Sequence, residues 1–239
     1  MQQDNIIILG GPERRRRLID ISCSLAAPQY YRTLLLYTRA LKQRNQQIKA
    51  DMEQHTLHRG AWDTALIRYG SAIIRARREM IARIEEYIRE HIDTAGISKL
   101  DVHLTYQSLE DEEHFEKKLR ASKKQEDIYK TTVIGPHRDA ILFLDHGRDM
   151  RDFSSQGQVR MTILAAKLAL AEFLHRERGL YPVFLFDDIL LEIDPRNAEA
   201  ILTGFGERNQ MFFASTTIPA LDYFTRLPKT CYFEFTEGE

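Results

Sequence analysis

The sequence predicts an α/β chain with an all-α helical subdomain in its N-terminal part. Three observations carry this expectation. Apolar residues recur at helical spacing through most of the first 90 positions. The spacing changes to alternation near Leu100, as in a half-buried strand. Beyond Ser155, helix-like and strand-like stretches follow one another in turn, the order of an α/β layer with parallel strands. A boundary is expected between Ile92 and Leu100, giving a helical region over 1–95 with a basic N-terminal stretch and an α/β portion over 96–239.

Taken in order, "DNIIILGG" reads as a short strand entering a glycine turn, and Pro12 suits the first turn of a helix, where its missing N–H costs nothing. From Tyr30, the residues Leu34, Tyr37, Leu41, Ile48 and Met52 keep helical register, interrupted by Arg44. Trp62, Leu66, Tyr69, Ile73, Ala76, Met80, Ile84 and Tyr87 do the same over a longer stretch. Two such helices pack together or on a nearby sheet, and aromatics at this spacing are read as core. Leu100, Val102, Leu104 and Tyr106 alternate as a strand, and the charged segment from Glu110 to Lys130 is expected to form an exposed helix. "TTVIG" and "AILFLDHGRDM" read as strands, the second reversing at His146-Gly147. A helix from Ser155 to Arg178 follows, then the strand "PVFLF", a helix from Pro195, the strand "MFFAS", a short helix near Leu221 and a last strand "TCYFEF".

At 239 residues and 43% apolar content the chain has enough material for one substantial core or two modest domains. No apolar run approaches the roughly 18 residues of a membrane helix. The N-terminus lacks the order of a secretory signal. Cys23 and Cys231 show no paired spacing, so a reducing cytosol is the expected compartment. The net charge of -1 hides an asymmetry: residues 1–50 carry nine Lys/Arg against three Asp/Glu. The excess includes Arg14, Arg15, Arg16 and Arg17, then Arg32, Arg39, Lys42, Arg44 and Lys49. A face of this kind either binds a polyanion or is a solvated helix surface.

The stretch "VFLFDDILLEID" concentrates the chemistry. A continuous apolar run is expected to be a strand buried on both faces, and open α/β sheets bind ligands beyond the carboxyl ends of such strands. Asp187 and Asp188 stand at that end, where one acid could hold Mg²⁺ and its neighbour orient a nucleophilic water. Alternatively, one of them caps the next turn. Upstream, "FSSQGQVRMTILAAKLALAEF" sets a small polar turn before an apolar-faced helix, with Ser154 or Ser155 as N-cap and Gly157 permitting close approach. A helix start of this kind attracts anions, although a cap alone needs no ligand.

In combination, this order of turn, helix, apolar strand, paired acids and "LEID" resembles the signature motif, Walker B strand and D-loop of ABC-type ATPases. The wording "GGPERRRRLID", "YTRALKQRNQQIK", "VIGPHRDAILFLDHGRDMRDFSSQGQVR", "YPVFLFDDILLEID" and "MFFASTT" is similar to the RecF family of bacterial DNA repair proteins along essentially the whole chain. The resemblance implies an ABC-ATPase-like head and an ATP-gated clamp in which nucleotide, sandwiched between two heads, stabilises a homodimer that engages DNA. It also implies action at single-strand gaps, assisting the RecA recombinase together with RecR and RecO. Asp187 resembles the Walker B acid that holds Mg²⁺ through water, and Asp188 the carboxylate that orients attacking water. Ser155, Gln156, Gly157 and Gln158 match the signature motif that reaches a nucleotide bound by the other subunit, and Asp194 matches the D-loop acid. Thr216 and Thr217 stand near the switch position. Arg15 to Arg17 match the family's arginine run, and with Arg14, Arg39, Lys42 and Arg44 are expected to contribute to a DNA-facing surface. His137 and Arg138 in "GPHRDA" are family-typical and are read as turn geometry with an Arg138–Asp139 pair, or as contacts to nucleotide or DNA. Ala140 stands where the family has a second Asp, which weakens any metal site there.

No G-x-x-x-x-G-K-[ST] phosphate loop occurs in these residues. The chain is therefore expected to correspond to the C-terminal two-thirds of the family, to bind ATP weakly alone and to hydrolyse almost none. The alternative reading is a non-catalytic DNA-binding or scaffolding piece, or half of a split head.

Overall fold

The structure is a computed structural model that describes residues 6–54, 60–94, 100–108, 114–187, 209–214, 231 and 233. Its N-terminal part consists of α1 (Ile6–Leu9), α2 (Pro12–Ala26), α3 (Pro28–Gln54) and α4 (Gly60–Thr94). Pro12 is the first residue of α2, as the sequence predicts, and Gly11 is its N-cap. The strand expected over "DNIIILGG" is instead helix at Ile6–Leu9. There Ile8 is buried, and the segment packs on α2 and on later helices. β-branched residues bias a chain toward strand, and here tertiary packing overrides that bias.

α3 and α4 pack against each other. Tyr37 and Ala40 from α3 share one buried cluster with Leu66, Ile73 and Ile74 from α4, and Tyr37 passes close to Gly70. Arg44 does interrupt the apolar stripe of α3, yet it stays on the inner face and is fully buried. α4 also packs on β1 (Val102–Gln107) and on α8 (Gln156–Arg178). The hydrophobic core therefore runs continuously from the helical part into the later elements.

β1 pairs antiparallel with β2 (Ala140–Asp145), Val102 opposite Asp145 and Gln107 opposite Ala140. β2 turns at His146-Gly147 into the short β3 (Arg148–Asp149). The turn needs positive φ at both residues, +48° at His146 and +77° at Gly147, the backbone of a tight two-residue hairpin. The segment 110–130 is not one exposed helix. Its described residues form two, α5 (Phe115–Ala121) and α6 (Lys123–Tyr129), which bury Phe115, Leu119 and Glu126. "TTVIG" is not a strand. Its Thr132 backbone N–H donates to the Asn45 side chain at 2.8 Å, so a side chain takes the place of a ladder partner.

After β3 comes α7 (Met150–Phe153), then α8. β4 (Phe184–Asp187) and β5 (Met211–Ala214) run parallel, with Phe184 opposite Met211 and Asp187 opposite Ala214. The expectation that β4 is buried on both faces is corrected: Phe184 and Phe186 are buried, whereas Leu185 between them is 72% exposed. Phe186 stacks on Phe213 at 4.8 Å, so one face of the pair carries the packing. The helix from Pro195, the helix near Leu221 and most of "TCYFEF" lie outside the described residues. Among the described residues no helix is long and apolar enough to cross a membrane.

Candidate nucleotide and DNA-binding sites

The Ser-Gln-Gly-Gln turn is built as a capping box. Ser155 is the N-cap of α8; its Oγ accepts the Gln158 backbone N–H at 3.3 Å, while the Gln158 side-chain oxygen accepts the Ser155 N–H at 2.8 Å. Reciprocal capping satisfies two backbone donors and fixes the chain's entry into the helix. The N–H groups of Gln156 and Gly157 take no part in it. In a helix's first turn such groups have no intrahelical acceptor. Ser155, Gln156 and Gly157 are exposed, and an added Cβ at Gly157 would meet nothing within 4 Å. The turn thus offers a hydroxyl and two amides at the positive end of a 23-residue helix. Ser154, the other candidate cap, is the C-cap of α7 instead.

Asp187 closes β4 beside Ala214, the last residue of β5, so its backbone stands at the carboxyl ends of two parallel strands. Its side chain, together with Asp188, Asp194, Thr216 and Thr217, lies outside the described residues.

The arginine run of α2 points in two directions. Arg14 and Arg17 are exposed. Arg15 is 2% exposed, and its Nε and Nη1 have no hydrogen-bond partner among the described residues. Burial holds its pKa below the usual arginine value, against the opposing fields of Asp149 and Asp152. Arg16 donates from Nη1 to the Asp139 carbonyl at 2.7 Å. Arg39 and Lys42 are exposed on α3. Arg44 must leave the DNA-facing set: it is 0% exposed and donates to Asp63 at 2.7 Å, to Glu126 at 2.6 and 2.8 Å and to Thr132 Oγ1 at 2.9 Å. A guanidinium with two buried carboxylates cannot reach a phosphate without breaking that cluster. Arg15 leaves the set for the same reason of burial, and Arg16 leaves it because its guanidinium is drawn inward to the Asp139 carbonyl.

The family-typical "GPHRD" loop is held by groups that sequence reading passed over. Arg77, buried on α4, donates to the Pro136 carbonyl at 2.7 Å and grips both carboxylate oxygens of Asp20 at 2.9 Å. Tyr30 also donates to Asp20, and Tyr106 donates to the Asp139 carboxylate. His137 donates from Nε2 to the Thr132 carbonyl at 3.1 Å, which leaves Nδ1 to accept the Tyr37 hydroxyl at 2.6 Å. Burial pushes the His137 pKa down to about 4, keeping the ring neutral at pH 7. Arg138 reaches the Thr132 carbonyl at 3.5 Å. The geometry gives this loop a structural job. Only the mid-helix placement of Arg44 and Arg77 in apolar stripes could have signalled these anchors.

No family model matches the chain. The DNA replication and repair protein RecF of Shouchella clausii is 31% identical over 252 aligned positions, which take in 99% of this chain and 67% of that protein. The chain belongs to the RecF family. RecF of Natranaerobius thermophilus is 36% identical over 233 positions, covering 90% of this chain. This RecF-family chain spans 60% of the length of that relative. Two solved structures of the recombination mediator protein RecF in the RecFOR pathway, RecF-ATP and RecF-ATPrS, superpose with TM-scores of 0.80 and 0.79 at 28% identity. They cover 91% of this chain and 62% and 61% of their own, in agreement with the expected ABC-ATPase-like mixture of helix and sheet.

Proposed function

We propose that this chain supplies the signature turn, the Walker B strand and the DNA-facing helices of a RecF-type DNA replication and repair protein, an ATP-gated DNA clamp. The observation that carries the reading is the Ser155 capping box, which leaves the Ser155 hydroxyl proton and the Gln156 and Gly157 N–H groups outside its own hydrogen bonds, in a chain of this family. Such donors suit the terminal phosphate of a nucleotide held by a second copy of the head. ATP fits this chemistry, and Asp187, at the carboxyl end of a parallel strand, is suited to hold Mg²⁺ through water. The bound ion would neutralise phosphate charge. Asp188 would orient the attacking water, Asp194 would contact the same dimer interface, and Thr216 and Thr217 would stand at the switch position. Arg14, Arg17, Arg39 and Lys42 would contact DNA phosphates, with gaps in duplex DNA as the site of action and RecO, RecR and RecA as functional partners in the cytoplasm.

The test supplies what these 239 residues do not contain, a lobe carrying G-x-x-x-x-G-K-[ST], and measures magnesium-dependent ATP hydrolysis and dimerisation. Hydrolysis should require that lobe and fall by at least about 100-fold in Asp188→Asn. A mixture in which Asp188→Asn and Ser155→Ala behave as wild type overturns the proposal.

A further inference from the structure

The last residue of β2 lies next to the signature turn. Asp145 is 8% exposed and uses both carboxylate oxygens. Oδ1 accepts the Asp101 backbone N–H at 3.0 Å, and Oδ2 accepts Gln158 Nε2 at 3.2 Å. The second bond selects one of the two orientations open to the Gln158 amide. With its NH₂ turned to Asp145, its oxygen faces the Ser155 backbone N–H, which it accepts at 2.8 Å. The Gln158 backbone N–H then donates to Ser155 Oγ at 3.3 Å. A hydroxyl that accepts from an amide keeps its own proton for another acceptor.

We propose that Asp145 is a positioning residue for the nucleotide-contacting turn. By fixing the Gln158 amide, it sets the Ser155 backbone and leaves the serine proton available for a phosphate. The inference rests on the reading of that turn given above, and it adds a residue that lies outside the Ser155–Gln158 motif, at the end of β2.

The test is a reciprocal swap. In Asp145→Asn, an amide oxygen kept toward Asp101 leaves Nδ2 facing Gln158 Nε2, donor against donor. In Gln158→Glu, two carboxylates face each other. The double variant restores both bonds: the carboxylate introduced on α8 can accept from the Ser155 N–H and from the amide introduced on β2, with one bond reversed in direction. Hydrogen exchange of the Ser155 backbone amide, followed by NMR in this chain, should rise about tenfold in each single variant and return toward wild type in the double. A purely steric role for Asp145 would give no such recovery, so unchanged exchange in Asp145→Asn, or no recovery in the double, overturns the proposal. With the phosphate-loop lobe supplied, ATP-dependent dimerisation of Asp145→Asn should weaken by a similar factor. Wild-type dimerisation in Asp145→Asn, where Ser155→Ala is impaired, overturns the positioning role alone. A wild-type protein that does not dimerise with ATP overturns the nucleotide reading and this role with it.

Discussion

Gly135 occupies a position that a side chain would not tolerate. Its φ is +133°, and an added Cβ would lie 2.7 Å from the Tyr37 hydroxyl and 3.3 Å from His137 Nδ1. Gly135→Ala should destabilise the fold by about 2–4 kcal/mol, read as a lower urea midpoint with unchanged slope. His137 adds a pH dependence whose sign follows from its partners. The folded pKa of about 4 lies below the ordinary 6.5, so between these values the unfolded chain takes up a proton that the folded chain refuses. Stability is therefore complete above about pH 6.5 and falls as pH drops toward 4, by an amount on the order of 3 kcal/mol. His137→Asn, compared with wild type by denaturation across that range, should lack this component. Arg44 tests a different point. Its replacement by Ala strands Asp63 and Glu126 and should cost about 3–5 kcal/mol. Lost DNA binding in such a variant would report unfolding, which a thermal melt would reveal.

α2 shows how one helix can serve two surfaces. Arg14 and Arg17 face solvent, while Arg15, Arg16 and Asp20 tie the helix to the interior, to the Asp139 carbonyl and to Arg77. Charge reversal should therefore separate the two sets. Arg14→Glu, Arg17→Glu, Arg39→Glu and Lys42→Glu should leave the melting temperature within a few degrees while weakening DNA binding. For every phosphate that goes unneutralised, the slope of log K against log salt should shrink by about 0.9. An unchanged slope would return these residues to an ordinary solvated surface. α8 depends on its first turn in a comparable way. Ser155→Ala should cost about 1 kcal/mol of stability by loss of the cap, measurable in urea without any nucleotide present.

The continuous core joins helices that the sequence assigns to different regions: α4 packs on α3, on β1 and on α8. Much of this architecture is legible in the sequence. Helical spacing marks α3 and α4, Pro12 opens α2, His146-Gly147 turns the hairpin, and Ser155 to Arg178 matches α8 with its cap. These features are local: period, cap and turn each depend on residues a few positions apart. α1, the "TTVIG" loop and the inward side of the arginine run were not legible. Each depends on a distant partner, and Arg44 meets Glu126 across 82 positions and Arg16 meets the Asp139 carbonyl across 123. Composition alone makes a mid-stripe arginine look like a solvated cation, and only folding supplies the buried carboxylates that change its role. The order of chemistry-bearing motifs was thus written in the chain, whereas the division of its basic residues between surface and interior arose from packing, because burial is a property of neighbours far apart in sequence.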